Sequence, residues 1–142
     1  DMQRERNTMN VLHIMVGLPR SGKSTHAKEL GYPIVSPDAI RLSVHGTNWR
    51  PETESLVWGI AKTMAESLFI AGHNDVIIDA CNHTKERRRL WESLKWVIKY
   101  HVVDLDMDTC IARAKSEFKE DLVPVIRRMA AAWDPPGMGE DC

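Results

Sequence analysis

The stretch that decides the fold is VLHIMVGLPRSGKST, residues 11–25. Its first six residues form a nearly continuous apolar run, which is typical of a parallel strand buried on both faces. The pattern GxxxxGK(S/T) follows at once, from Gly17 to Ser24, and residues 23–30 then have a helical pattern that ends at Gly31. A strand, a glycine-rich loop and a helix in this order predict a phosphate-binding loop.

The residue types in this loop suit a nucleoside triphosphate. Glycines let backbone N–H groups turn around a phosphate chain, and the positive end of the following helix faces the same phosphates. Lys23 is expected to reach the β and γ phosphates, and Ser24 to bind Mg²⁺. ATP and Mg²⁺ are therefore the expected ligand and cofactor. The expected nucleotide-binding residues are Gly17, Leu18, Pro19, Arg20, Ser21, Gly22, Lys23, Ser24 and Thr25.

Outward from this loop, strand patterns alternate with helical patterns along the chain. Further strands are predicted over 32–35, 75–80 and 97–105, and further helices from 37 onward and over 51–71, 84–95, 108–116 and 124–133. Such alternation predicts βαβ units with right-handed crossovers. The expected fold class is α/β, a three-layer P-loop NTPase fold with a parallel sheet, helices on both faces and a helical lid.

Length and composition restrict the classes of protein to consider. The 142 residues are expected to form one domain over residues 9–142, preceded by an N-terminal extension or cloning remnant over residues 1–8. A net charge of −1 argues against a protein that coats nucleic acid, although it allows an enzyme that grips a nucleotide or a strand end. No apolar run approaches the ~20 residues of a membrane span. Three widely spaced cysteines predict reduced thiols and a cytoplasmic protein, in the host cytoplasm if the source is viral.

Asp79 closes the predicted strand that contains DVIID. In open α/β sheets, ligands bind beyond the carboxyl ends of the strands. An acid at that edge, beside a phosphate-binding loop, is expected to join Ser24 in holding the magnesium ion. The alternative is a carboxylate that caps a helix or lies in a loop.

Asp38 and Arg41 lie one turn apart on the helix expected to begin at Pro37. A carboxylate near the phosphate site could accept the proton of an attacking hydroxyl, and an arginine could clamp a substrate phosphate. From spacing alone, a surface ion pair at a helix start is the more ordinary interpretation.

Basic residues cluster late in the chain and could close over the phosphates as a lid. The alternative is a solvated helix face. These residues are Arg113, Lys115, Lys119, Arg127 and Arg128. The run at 87–89 is expected at the surface, with contact to a polynucleotide backbone as the alternative, and Trp49 could stack on a base.

Five blocks follow one another in the order GLPRSGKST, SPDAIRLS, VIIDACNHTKERRRLW, DTCIARAK and VPVIRRM. Together they resemble the kinase domain of phage polynucleotide 5′-hydroxyl kinases and the wider P-loop kinase group, over residues 11–129. The resemblance implies that Asp38 is the general base and that Arg41 contacts the phosphate next to the accepting hydroxyl. It also implies that Asp79 and Asn82 match the acid and amide after the third strand, and that Arg113 is the first lid arginine.

Two residues depart from that pattern. Arg20 occupies a position where the family often has a second glycine, and Glu117 falls where the family has a later lid arginine. Lys115 or Lys119 could substitute for that arginine, but neither is a bidentate donor.

The expected function is that of a kinase that transfers the γ-phosphate of ATP to a hydroxyl of a nucleic acid, with the 5′-hydroxyl of a strand end as the lead acceptor. The alternative acceptors are a 5-hydroxymethyl pyrimidine base in phage DNA and a free nucleoside or small molecule. A regulatory ATPase is a further alternative, disfavoured because no N-K-x-D or L-S-G-G motif occurs. The sequence leaves open whether the acceptor is DNA or RNA, and therefore whether the process is DNA modification or repair.

Overall fold

The computed structural model of the chain describes residues 9–46 and 50–137. Its strands are β1 (Val11–Val16), β2 (Ile34–Val35), β3 (Asp75–Ile78) and β4 (Val97–Val102). Its α-helices are α1 (Lys23–Leu30), α2 (Pro37–His45), α3 (Glu54–Ile70), α4 (Lys85–Arg89), α5 (Met107–Ser116) and α6 (Val123–Ala131). Short 3₁₀ turns at Pro51–Thr53 and Glu120–Leu122 precede α3 and α6. In these described ranges, no helix is both long and apolar enough to cross a bilayer.

The four strands form one parallel sheet in the order β2-β3-β1-β4. Leu12 of β1 lies opposite Val76 of β3 on one side and Ile98 of β4 on the other. Because β1 is central, its residues are apolar on both faces, as the continuous run predicted. The loops after β1 and β3 consequently meet at the same edge of the sheet.

Helices cover both faces of the sheet, which confirms the three-layer arrangement. On one face, alternate β1 residues such as Ile14 pack with Val57 and Ala61 of α3. On the other face, Met15 and Ile77 pack with α1.

A third cluster lies between α5 and α6, called here the lid hairpin. Its buried members include Ile111 and Ile126, and it also contains Leu18 from the phosphate-binding loop. The lid hairpin is therefore packed against the loop.

The helix predicted over 84–95 is wrong in its length. Thr84 caps α4, accepting a hydrogen bond from the Arg87 N–H, but the helix ends at Arg89. The chain then turns so that Trp91 enters the core, where it is 1% exposed, and its carbonyl accepts a hydrogen bond from the Trp96 indole. Burial of the two tryptophans overrides the local helical preference. β1 has the predicted bounds, whereas β2, β3 and β4 are each shorter than predicted.

Candidate active site

The phosphate-binding loop joins β1 to α1, and its path needs glycine at two positions. A Cβ atom on Gly17 would lie 2.6 Å from the Ser21 hydroxyl oxygen and 3.2 Å from the Val103 carbonyl oxygen, so a larger residue does not fit. Gly22 has φ 97° at the N-cap of α1, in the left-handed region that favours glycine. Arg20 also has a positive φ, 66°, although it has a side chain. The loop has the sharp turns that a ring of N–H donors around an anion requires.

Some donors of this loop lack partners among the described residues, although the Gly17 and Ser21 N–H groups donate to the Cys81 and Leu18 carbonyl oxygens. No side chain caps α1 and its first turn has no acidic residue, so its first N–H groups face the loop without a side-chain acceptor. The Ser21 hydroxyl is buried and has no hydrogen-bond partner within the described ranges. Buried polar groups normally have partners, so this arrangement fits a bound phosphate chain.

Ser24 and Asp79, the two residues predicted to hold magnesium, lie together. The Ser24 hydroxyl donates a hydrogen bond of 2.8 Å to Asp79 Oδ2. Asp79 Oδ1 is buried and lacks a partner among the described residues. A hydroxyl beside a half-satisfied carboxylate is the oxygen donor set that Mg²⁺ prefers. No cluster of three or more histidine, cysteine or acidic side chains that could hold a metal occurs in residues 9–46 and 50–137.

The Cys81 thiol, which follows β3, is influenced by several charged side chains of the site. Burial raises the pKa of the Cys81 thiol, the ammonium group of Lys23 opposes that rise, and Asp38 and Asp79 add to it. The charges of Lys23, Asp38 and Asp79 thus all act on one thiol at the carboxyl edge of the sheet.

Asp38 and Arg41 form part of a group of three charges that we call the acceptor trio, completed by Glu54. Arg41 Nη1 donates to Asp38 at 2.7 Å, while its Nε and Nη2 donate to the two Glu54 oxygens at 2.9 and 2.7 Å. The Arg41 and Glu54 side chains are 10% and 15% exposed, whereas Asp38 is 78% exposed. Burial by itself lowers the pKa of Arg41, but Glu54 and then Asp38 reverse this, so the pKa is raised. Glu54 was not predicted as a site residue, because the sequence places it in the first turn of a helix and indicates no partner for it.

Arg113 of the lid hairpin lies directly over the phosphate-binding loop. Its Nη1 donates to the Arg20 carbonyl at 3.3 Å and is 3.8 Å from where a Cβ on Gly22 would be. Arg20 in turn pairs with Glu117 through two parallel hydrogen bonds, one of 2.8 Å from Nε. Hydrogen bonding to Arg20 lowers the pKa of the Glu117 carboxyl. The two residues that depart from the family pattern are thus each other's partners.

Other candidates lie further from this centre. The lid residues Lys115, Lys119, Arg127 and Arg128 are exposed. Arg88 corrects the prediction of a surface basic run, because it is fully buried and donates to the Asn82 carbonyl at 3.0 Å. Trp49 lies outside the described residues.

Asn82 is a structural residue of the loop after β3. Its Nδ2 donates to the Met15 carbonyl at 2.9 Å, and its Oδ1 accepts from the Trp91 indole at 3.2 Å. It is 1% exposed and has φ 46°, a conformation that asparagine tolerates better than most residues. Asn82 therefore fixes the Asp79 loop to the end of β1.

Comparison with known proteins gives a family and several similar structures. The family model described as an AAA domain matches residues 12–131. A chain of the Pnkp1/Rnl/Hen1 complex is 26% identical, with a TM-score of 0.66 over 75% of this chain and 40% of that chain. A chain of the Pnkp1/Rnl/Hen1 RNA repair complex is 19% identical, with a TM-score of 0.65 over 92% of this chain and 49% of that chain. This chain thus spans less than half the length of these two.

Two sugar kinases share the fold over most of their length. A gluconokinase from Sinorhizobium meliloti 1021 is 17% identical, with a TM-score of 0.61 over 94% of this chain and 80% of that chain. A sugar kinase from Janibacter sp. HTCC2649 is 15% identical, with a TM-score of 0.66 over 94% of this chain and 82% of that chain. These similarities show a kinase-like P-loop fold.

Proposed function

This chain belongs to the AAA-domain family, and from that premise we propose that it is an ATP- and Mg²⁺-dependent kinase whose acceptor is a hydroxyl of a nucleic acid. The lead acceptor is the 5′-hydroxyl of a polynucleotide end, of DNA or RNA, within the cytoplasm. The observation that supports this most is that the site holds two separate carboxylates, Asp79 bonded to Ser24 of the loop at 2.8 Å and Asp38 bonded to Arg41 at 2.7 Å. A phosphate-binding loop alone indicates a nucleotide, whereas a carboxylate beside it supplies the base that a hydroxyl acceptor needs.

Each residue of the site then has a chemical role. The loop N–H groups and Lys23 bind the phosphates, and Ser24 with Asp79 would hold the magnesium ion. When bound, that ion neutralises charge on the β and γ phosphates. Asp38 accepts the proton of the attacking hydroxyl, and Arg41 orients Asp38 through their 2.7 Å hydrogen bond. Arg113, over Gly22, stabilises the charge on the transferred group.

The acceptor trio leaves room for one more contact to the acceptor. Arg41 has five N–H groups, of which three bond to Glu54 and Asp38. One N–H on each Nη atom is left within the described contacts, and these could bind the phosphate next to the accepting hydroxyl. The likeness at 26% identity to a chain of the Pnkp1/Rnl/Hen1 complex favours this polynucleotide acceptor.

A second candidate is a kinase of a neutral small molecule, such as a nucleoside or a sugar. The acceptor trio has one positive and two negative groups, so its net charge favours an uncharged acceptor over a phosphate. A hydroxymethyl pyrimidine in DNA is a third acceptor to test.

One assay separates these acceptors. The protein is incubated with γ-labelled ATP, Mg²⁺ and, separately, a 5′-hydroxyl oligonucleotide, a hydroxymethyluracil DNA, and a mixture of nucleosides and sugars. We expect label in the oligonucleotide. Label only in the second or third acceptor class would move the assignment there, and ATP hydrolysis with no labelled acceptor would contradict the kinase proposal.

A further inference from the structure

The acceptor trio creates an electrostatic problem for a polynucleotide acceptor. Asp38 and Glu54 outnumber Arg41, so the group has a net charge of −1. A strand end brings a phosphate within a few bonds of its 5′-hydroxyl, and this phosphate is repelled by that net charge. A polynucleotide therefore needs a second cation close to Arg41.

Arg87 is the cation that lies near Arg41. Its Cζ is 5.3 Å from the centre of the Trp58 ring, and Arg41 Cζ is 5.7 Å from the same centre. The two guanidinium carbons are consequently no more than 11.0 Å apart, since both distances are measured from one point. The shared tryptophan places Arg87 beside the acceptor trio.

Arg87 also lacks the counter-ion that Arg41 has. It is half-buried, and no carboxylate pairs with it in the part of the chain that the structure describes. A partly desolvated guanidinium is normally paired. By contrast, Arg89 on the same helix is exposed to solvent, where an unpaired charge costs little.

A second group responds to the same positive charge. His83 is 8% exposed, and its Nδ1 has no hydrogen-bond partner among the described residues. Burial lowers the pKa of His83, and the charges of Arg87, Arg88 and Arg128 lower it further. Arg128 belongs to the lid hairpin, so positive charge from α4 and α6 converges here.

We propose that Arg87, stacked on Trp58, binds a backbone phosphate of a polynucleotide acceptor. This inference rests on the proposed function and names the residue that would select a strand end over a neutral small molecule. The planar guanidinium can donate two parallel hydrogen bonds to one phosphate while its face stays on the indole. Arg87 would then share with Arg41 the binding of the acceptor's backbone, while Arg41 keeps its hydrogen bond to Asp38.

The test compares three variants in a binding assay. Arg87→Gln keeps an alkyl stem and a planar group for Trp58, Arg87→Ala removes both, and Arg89→Gln is the matched control on the same helix. The dissociation constant of a fluorescent 5′-hydroxyl oligonucleotide is measured by anisotropy, with Mg²⁺ and a non-hydrolysable ATP analogue, at several salt concentrations.

We expect both Arg87 variants to weaken oligonucleotide binding about tenfold and to reduce the salt slope by about one. Binding of the ATP analogue should stay unchanged, and Arg89→Gln should match the unaltered protein. The inference is overturned if Arg87→Gln binds the oligonucleotide as the unaltered protein does, or if the unaltered protein does not bind it. Thermal melting confirms that each variant is folded, and Arg87→Gln remains informative if Arg87→Ala unfolds.

Label transfer distinguishes this failure from failure of the proposed function. If the oligonucleotide is phosphorylated with the same KM by Arg87→Gln and by the unaltered protein, the inference fails and the function stands. If no hydroxyl acceptor is labelled, the proposed function fails, whatever the binding assay shows.

Discussion

Replacing Glu54 with glutamine tests the acceptor trio most quantitatively. Glutamine has nearly the same size, but it removes one negative charge and turns an NH₂ group toward the Arg41 guanidinium. Breaking a fully buried ion pair costs about 3–5 kcal/mol. Arg41 keeps its 2.7 Å bond to Asp38, and the Arg41 and Glu54 side chains retain 10% and 15% exposure, so we expect a smaller loss. Our value for Glu54→Gln is about 2 kcal/mol of unfolding free energy.

The assay is urea unfolding at pH 7.5, with thermal melting as a second measurement. A loss of about 2 kcal/mol corresponds to a fall in Tm of about 6–8 °C for a chain of this size. Glu52→Gln is the matched control, because Glu52 pairs with Arg50 at the surface, where the two side chains are 58% and 52% exposed. We expect that control to leave the unfolding midpoint nearly unchanged, because an exposed ion pair contributes little to stability.

Activity should change in the same variant. Without Glu54, Arg41 has only Asp38 as its partner and holds that carboxylate more tightly, so kcat should fall while the KM for ATP stays constant. Because the pKa of Arg41 is raised, this effect should not depend on pH between 6 and 9. Equal stabilities of Glu54→Gln and Glu52→Gln would refute the interpretation of the trio as a buried, energetically coupled group.

Three further predictions concern the surroundings of the site. Asn82→Ala should lower the free energy of unfolding in urea by about 3 kcal/mol, because two buried partners are left unsatisfied and because alanine disfavours φ 46°. Asn82→Gly should recover about 1 kcal/mol of this loss. Arg20→Ala and Glu117→Ala should each raise the KM for ATP several-fold, because each removes the same ion pair. The KM of the double variant should therefore not exceed the higher of the two single-variant values, and additive effects would contradict this. Burial, followed by nearby positive groups, lowers the pKa of His101 from 6.5 to about 4. Between these two pH values, His101 is protonated in the unfolded chain but mostly neutral in the folded one. Stability should therefore fall as pH drops from about 6.5 toward 4, by on the order of 1 kcal/mol after solvent screening, and His101→Gln should flatten this dependence in unfolding midpoints measured against pH.

The central strand and the phosphate-binding loop could be predicted from sequence because their determinants are local. A continuous apolar run, two glycines at fixed spacing and a helical pattern lie within the consecutive residues 11–30. The start of α2 was predictable for the same reason, since Ser36 accepts the Ala39 N–H and Pro37 is pre-set for the first turn.

Partners separated along the chain could not be predicted in this way. Glu54 lies 13 positions from Arg41, and only the packing of α3 against α2 brings them together. Arg88 sits in a run of three arginines with nothing local to separate a buried residue from exposed ones. Its burial follows from the turn that sends Trp91 into the core.

The two departures from the family pattern could be explained only from the structure. Arg20 and Glu117 are 97 positions apart, and each is unusual when considered alone. Their ion pair joins the phosphate-binding loop to the lid hairpin, directly beside Arg113. An arginine at the loop thus faces an acid at the lid, which explains how both substitutions can occur in one chain.

The most direct test of the proposed kinase is the single-turnover rate of Asp38→Asn. Protein in excess is mixed with γ-labelled ATP, Mg²⁺ and the acceptor that the unaltered protein phosphorylates, and the ATP dissociation constant is measured in parallel. We expect phosphate transfer to slow by at least about 100-fold, because a general base contributes about 10²–10⁴ in rate. ATP affinity should change less than about twofold, because the hydrogen bond of Asp38 among the described residues goes to Arg41 and not to the loop. Transfer at an undiminished rate with normal ATP binding would contradict the assignment of Asp38 as the base.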